Sequence, residues 1–246
     1  MNDQLSLRRL GLLLRNDVLN DQRTLLIVSA IITVLALFGP AGAVYSSYTG
    51  AGFYRTLCLI ALFAVGTITT SRAFADLHGR ATSTAFLLLP ATALEKTVAR
   101  LLMGTAVLIG YLLLFTTALS LLVEILKLAV FGGENVLFSP FDPVVWSVVP
   151  HYLVVQALFF LGAAWFRRLN FIKTLLALVV IVAGLTAFGV SVTWSLTEGV
   201  HFEGGYFFDF DFFVGALYYA YIVLLPVFCW FVAWLRVKET QVRHGV

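Results

Sequence analysis

Charge is scarce in this chain. Only 12% of its 246 residues are Asp, Glu, Lys or Arg, while 61% are hydrophobic and 15% aromatic; soluble domains carry roughly a quarter charged residues. That shortage excludes an ordinary soluble domain and points to an integral membrane protein. Cysteine is nearly absent too. Cys58 and Cys229 both stand inside apolar runs, so neither a disulfide framework nor a metal cluster is expected, and both read as packing residues. The sequence contains no Walker phosphate loop, no His-Glu-x-x-His and no Cys-x-x-Cys, which leaves nucleotide hydrolysis and familiar metal chemistry without a seat in this chain. A cleavable signal peptide is not expected, because the opening MNDQLSLRRLGLLLRNDVL is broken by charge and lacks a small-residue cleavage site. Low-complexity segments, internal repeats and a soluble domain are missing as well.

What the chain does have is apolar length. Runs of about 20 residues, enough to cross roughly 30 Å of hydrocarbon, lie near 25–44, 53–70, 98–122, 144–166, 175–196 and 214–235. The expected fold is therefore all-α, with six transmembrane helices. Arg8, Arg9, Arg15 and Arg23 precede the first run, and Arg72, Arg80, Lys96 and Arg100 follow the second. Arg167, Arg168 and Lys173 follow the fourth, and Arg236, Lys238 and Arg243 the sixth, so that only Arg55 and Lys127 remain for the other side. The positive-inside rule then puts both termini and the 71–100 loop in the cytoplasm, and the connections carrying Glu134, Asp142, Glu198, Glu203, Asp209 and Asp211 outside. The net charge of +3 is a mark of this topology rather than a nucleic-acid patch.

Residues 1–23 form one organisational unit and 24–246 the membrane domain. Leu7, Leu10, Leu14 and Val18 share a helical face with Arg8, Arg9, Arg15 and Asn16 around it, the pattern of an amphipathic elbow helix lying among lipid headgroups, or docked on a partner there. The first span closes on Gly39-Pro40-Ala41-Gly42, which should end or bend it. In the 71–100 loop, Phe74, Leu77, Ala81, Ala85 and Leu88 recur at three- and four-residue steps with Arg72, Asp76, Arg80 and Ser83 between them. That pattern predicts an amphipathic helix whose stripe lies against something. Pro90 breaks it, and Thr92-Ala93-Leu94-Glu95 reads as a capping box for a helix that starts in water and continues into the third span as a lever. Asp142-Pro143 predicts a cap for the fourth span, Asn170 a cap for the fifth, and Pro226 a kink in the sixth. Residues 197–213, rich in Phe, Tyr, Asp and Glu, suit an external membrane interface, as short surface or re-entrant helices or as an aromatic belt.

Few polar groups interrupt the spans. Glu124, with Lys127 three residues on, reads as an interfacial ion pair or an ion or substrate site. His151 and Gln156, in the fourth span, read as interhelical hydrogen-bonding groups, and the threonines at 67, 69, 70, 116 and 117 as bonded to their own backbones. Arg55 should anchor in the outer headgroups. These leave open a membrane-embedded enzyme acting on lipids or peptides through His151, Glu124 or Asp209 and Asp211, although the groups are scattered. A secondary transporter is also open, yet the repeats and paired midplane charges it predicts are not visible.

The phrase SRAFADLHGRATSTAFLLLPATALEKTVARLL, residues 71–102, resembles the small six-span permease subunits of bacterial ABC transporters of the type-2 exporter class. Serine, phenylalanine and an acidic residue, then leucine-proline, a small residue and glutamate-lysine, carry the likeness, and the basic elbow, aromatic external segment and basic tail agree with it. The resemblance implies a subunit of the bacterial inner membrane that is not itself an enzyme and binds no cofactor. It implies a second permease, identical or a sister, and two separate ATPase subunits holding ATP and Mg beneath. It also implies a coupling helix near 72–85, so that Arg72, Phe74, Asp76, Leu77, Arg80, Glu95 and Lys96 would transmit ATPase motion. The family's substrates vary too widely for one to carry over.

Overall fold

A computed structural model describes residues 6–43, 51–78, 91–131, 137–166, 169–199 and 210–243, and every regular element among them is helical. The helices are α1 (Leu7–Ala43), α2 (Ala51–Ser71), α3 (Ala75–His78), α4 (Ala93–Leu102), α5 (Leu108–Phe131), α6 (Pro143–Trp165), α7 (Asn170–Gly199), α8 (Phe210–Tyr219) and α9 (Leu225–Arg243). Widened π-helical turns, Met103–Val107 and Ala220–Leu224, join α4 to α5 and α8 to α9. Six stretches are long and apolar enough to cross a membrane: Leu7–Leu37, Gly52–Leu77, Ala93–Leu126, Pro143–Trp165, Asn170–Ser191 and Gly215–Thr240. They coincide with the six expected spans, and the chain is an all-helical multi-pass membrane protein.

The third span is the longest of these stretches. At roughly 1.5 Å per residue, the 34 residues of Ala93–Leu126 extend about 50 Å, more than the roughly 30 Å that a hydrocarbon core requires. The first span ends one residue past the expected Gly39–Gly42 stop. Residues 7–23 and the apolar run behind them form one unbroken helix, and that helix passes Gly39-Pro40 to end at Ala43. Pro40 lacks the N–H that would bond the Ala36 carbonyl, and the helix ends within one turn of it.

The fourth span, α6, is central, with α2, α7 and α9 packed around it. It is a natural centre because its small and aromatic residues alternate with one polar group. Tyr152, Ala157, Phe160, Ala163 and Ala164 are all buried, and Gln156 among them is fully enclosed. Gly66 on α2 accommodates the Tyr152 ring, which would collide with any side chain there, and Gly162 on α6 does the same for Thr174 on α7. One core joins α1, α2 and α5 to the first half of α6; the other joins the α3 turn to the second half of α6 and to α9. In the sixth span, Pro226 sits just after the π turn Ala220–Leu224. The widened turn takes up the clash and missing bond that a proline imposes one turn upstream, where a kink was expected.

Candidate functional site at the basic end

The helix ends that carry most of the arginine and lysine are bound together by a small set of buried polar contacts. Thr92 caps α4, its hydroxyl accepting from the Glu95 amide at 3.2 Å while a Glu95 carboxylate oxygen accepts from the Thr92 amide at 2.9 Å. The capping box expected from the sequence is thus complete. Its acid does more than cap. The other Glu95 oxygen accepts from the backbone N–H of Ser6 at 2.9 Å and meets the Arg9 guanidinium at 3.2 Å, with the carboxylate wholly buried. A buried carboxylate with its lone pairs occupied by two amides and a guanidinium is a rigid junction, because losing any one donor strands charge away from water. Glu95 therefore ties the start of the first helix to the start of the third span.

One turn further on, Arg100 bridges two other elements. Its guanidinium lies 3.2 Å from Asp17 on α1 and 3.0 Å from Asp76 on α3. Asp21, half-buried, stands within electrostatic range of both Arg100 and Arg72. Sequence reasoning used Arg100 only as a topological marker; the available signal was Asp17 and Asp21, two acids in the basic first part of the first helix.

The stripe Phe74 and Leu77 is covered by this chain itself. Phe74 is fully buried, its ring edge-on to Phe160 at 4.9 Å, and both residues pack with Ala163, Ala164 and Val237 of α6 and α9. Arg72 and Ala75 face outward and Asp76 is half exposed. Only Ala75–His78 of the expected amphipathic helix is described as helical; Arg80, Ala81, Ser83, Ala85, Leu88 and Pro90 lie outside the described residues, as do Arg167 and Arg168. Lys96, counted among the bases of the 71–100 loop, is buried at 2% exposure. Asn170 does not cap α7 from outside. It is the first helical residue, after Leu169 at a positive φ of 53°, and its side-chain amide donates to the Ser71 carbonyl at 3.3 Å, fastening the fifth span to the end of the second.

Polar residues elsewhere are kept apart. The Tyr54 hydroxyl donates to Glu124 at 3.3 Å, and the side chain of Lys127 lies outside the described residues. Arg55, expected in headgroups, meets Asp142 at 3.4 Å, and Asp142 caps α6 through the Val144 amide, as Asp-Pro predicted. His151 bonds the Ser147 carbonyl of its own helix at 3.2 Å, beside the rings of Tyr218 and Tyr221. Gln156 accepts from the Trp230 indole at 3.2 Å, an interhelical bond of the expected kind, while its amide nitrogen and the Thr70 hydroxyl find no partner among the described residues. Next to them the Tyr152 hydroxyl donates to the Gly104 carbonyl at 2.5 Å, across to the π turn of the third span. Thr67, Thr69 and Thr117 bond their own helices, as expected, but the hydroxyls of Thr70 and Thr116 do not. Glu124 and His151 have different partners on different helices, Asp209 lies outside the described residues, and among the described residues no group of His, Cys, Asp and Glu could hold a metal. Cys58 and Cys229 are buried and unpaired, consistent with packing. Comparison of the chain with family models, with curated proteins and with solved structures finds no match.

Proposed function

We propose that this chain is a permease subunit of an ABC-type exporter of the bacterial inner membrane, driven by separate ATPase subunits and paired with a second copy or a sister permease. Its basic end faces the cytoplasm in this reading, and it moves an amphiphilic or hydrophobic substrate outward. The observation that carries the proposal is the wiring of the α3 turn. Phe74 and Leu77 hold α3 against α6 and α9, and Asp76 binds Arg100 on the extension of the third span. Ala75 and the outer part of Asp76 remain accessible. A push on that surface is delivered at once to three spans, which suits a subunit moved from outside as a rigid body. Glu95 and Arg100 carry the same push to α1.

The test is purification of the tagged chain from its native membrane, followed by ATP hydrolysis assays. The expected result is an ATPase recovered in equal amount, hydrolysis by that complex, and none by the chain alone. A chain recovered without an ATPase, or hydrolysing ATP by itself when rigorously pure, overturns the proposal.

A further inference from the structure

Between the first two spans lies a groove of about 710 Å³ that is apolar almost throughout. Its walls include Val28, Ile31 and Leu35 of α1 and Leu57, Ala61 and Ile68 of α2. The volume falls within the roughly 300–1,000 Å³ of ordinary ligand pockets. Its two ends differ. At the basic end Thr24 closes the α1 wall and Ile68 the α2 wall. Arg23, next to Thr24, is exposed, and so is Arg72, one turn beyond Ile68. Neither arginine forms an ion pair among the described residues. Of the acids nearby, Asp17 and Asp76 are held by Arg100, and Asp21, half-buried, lies within electrostatic range of both Arg100 and Arg72. Two exposed arginines therefore adjoin the groove-lining residues Thr24 and Ile68 along the chain, against one carboxylate within electrostatic range of Arg72.

We infer that this groove is a resident lipid site, holding an acyl chain of an anionic glycerophospholipid from the leaflet at the basic end, with the phosphate between Arg23 and Arg72. The apolar walls alone cannot select such a ligand, since every lipid tail is as apolar as the bulk it leaves. Selection rests on the headgroup, because guanidinium groups pair with phosphate oxygens by charge-assisted hydrogen bonds and juxtamembrane bases attract anionic lipid. A zwitterionic lipid offers the same tails and the same phosphate, but its choline cation is repelled by the two arginines. The inference is independent of the transport proposal: it asks only that α1 and α2 stand in a bilayer, and it gives Arg72 a headgroup to bind.

Native mass spectrometry of the purified full chain, delipidated and then given equal phosphatidylglycerol and phosphatidylcholine of identical tails, tests it. The wild-type chain should retain phosphatidylglycerol over phosphatidylcholine on the order of tenfold, from two bases acting together. Arg23→Gln with Arg72→Gln, both on exposed side chains, should bring the ratio close to one while the helical circular dichroism is unchanged. Ile31→Trp, a residue 54% exposed on the groove wall, should reduce retention of both lipids. Equal retention by the wild type, a ratio untouched in the double variant, or a spectrum showing lipid-free dimers whose formation Ile31→Trp abolishes would overturn the inference, the last because a second copy would then fill the groove.

Discussion

The second and fifth spans make opposite use of similar composition. The fifth is the more apolar, yet only 6% of its most apolar stretch is buried within the chain, against 56% for the second. In lipid, apolarity does not draw one helix to another, because the surrounding tails are just as apolar; close packing and interhelical hydrogen bonds do. The second span has both. Gly66 admits the Tyr152 ring, Tyr54 bonds Glu124, and the Ser71 carbonyl receives Asn170. The fifth span is fixed where Gly162 meets Thr174 and where Asn170 meets Ser71, both in its first turns. Beyond them Gly184 and Gly189 have open space where a side chain would go. Small residues mark a tight interface only where something is packed against them.

The largest effect that can break this comparison is at Gly66. A side chain there meets the ring of Tyr152, which is fully buried and bonded to Gly104, so neither partner can swing aside. Gly66→Leu should destabilise the folded chain by about 1–3 kcal/mol or more through overpacking, read as a lowered unfolding midpoint in detergent. It should also release the third span, since Tyr152 holds the Gly104 carbonyl across the π turn. An unchanged midpoint would mean that the second span is not held by this notch.

A middle-sized effect is expected at Glu95, which joins the two best-tied helix starts. The loss on Glu95→Ala exceeds that of a simple helix cap, because the Thr92 and Ser6 amides lose their acceptor and the ion pair with Arg9 is broken. An unsatisfied buried donor costs about 1–3 kcal/mol. Glu95→Gln keeps one acceptor oxygen and should lose less. If the transport proposal holds, the alanine variant should insert and recover its ATPase, yet move less substrate per ATP hydrolysed. Unchanged coupling would show that the junction transmits nothing, and loss of ATPase binding that it is a docking contact. Lys96 does not serve as a surface control, since it is buried; Lys238, exposed near Trp234, does.

The six spans, the Thr92–Glu95 box and the Asp142-Pro143 cap were legible because each is a local signal: twenty apolar residues, or four residues in a fixed frame. What escaped was decided by distant partners. Nothing local tells that Glu95 also holds Ser6, that Arg100 serves Asp17 and Asp76 together, or that Lys96 is covered. Asn170 looked like a cap from its neighbours, but the Ser71 carbonyl, 99 positions away, takes its amide. The amphipathic stripe of Phe74 and Leu77 called for a covering surface, and periodicity could not say that α6 and α9 supply it. Gly184 and Gly66 look alike in sequence for the same reason, one lying over open space and the other under a tyrosine ring.

The smallest expected effect sharpens the comparison most. Gly184 lies in the middle of the fifth span, and among the described residues nothing comes within 4 Å of an added Cβ there. Gly184→Leu in the isolated, monomeric chain should not lower the unfolding midpoint, and should raise it by at most about 1 kcal/mol equivalent. It replaces a flexible backbone position by a good helix former, worth up to about 1 kcal/mol in favour, and lays one more apolar side chain against detergent or lipid at no gain. Gly66→Leu carries the same change of residue and the same propensity benefit, so the difference between the two midpoints isolates the neighbour. A fall at Gly184 comparable to that at Gly66 would show that the fifth span is covered in the isolated chain, and the contrast between the two spans would be lost.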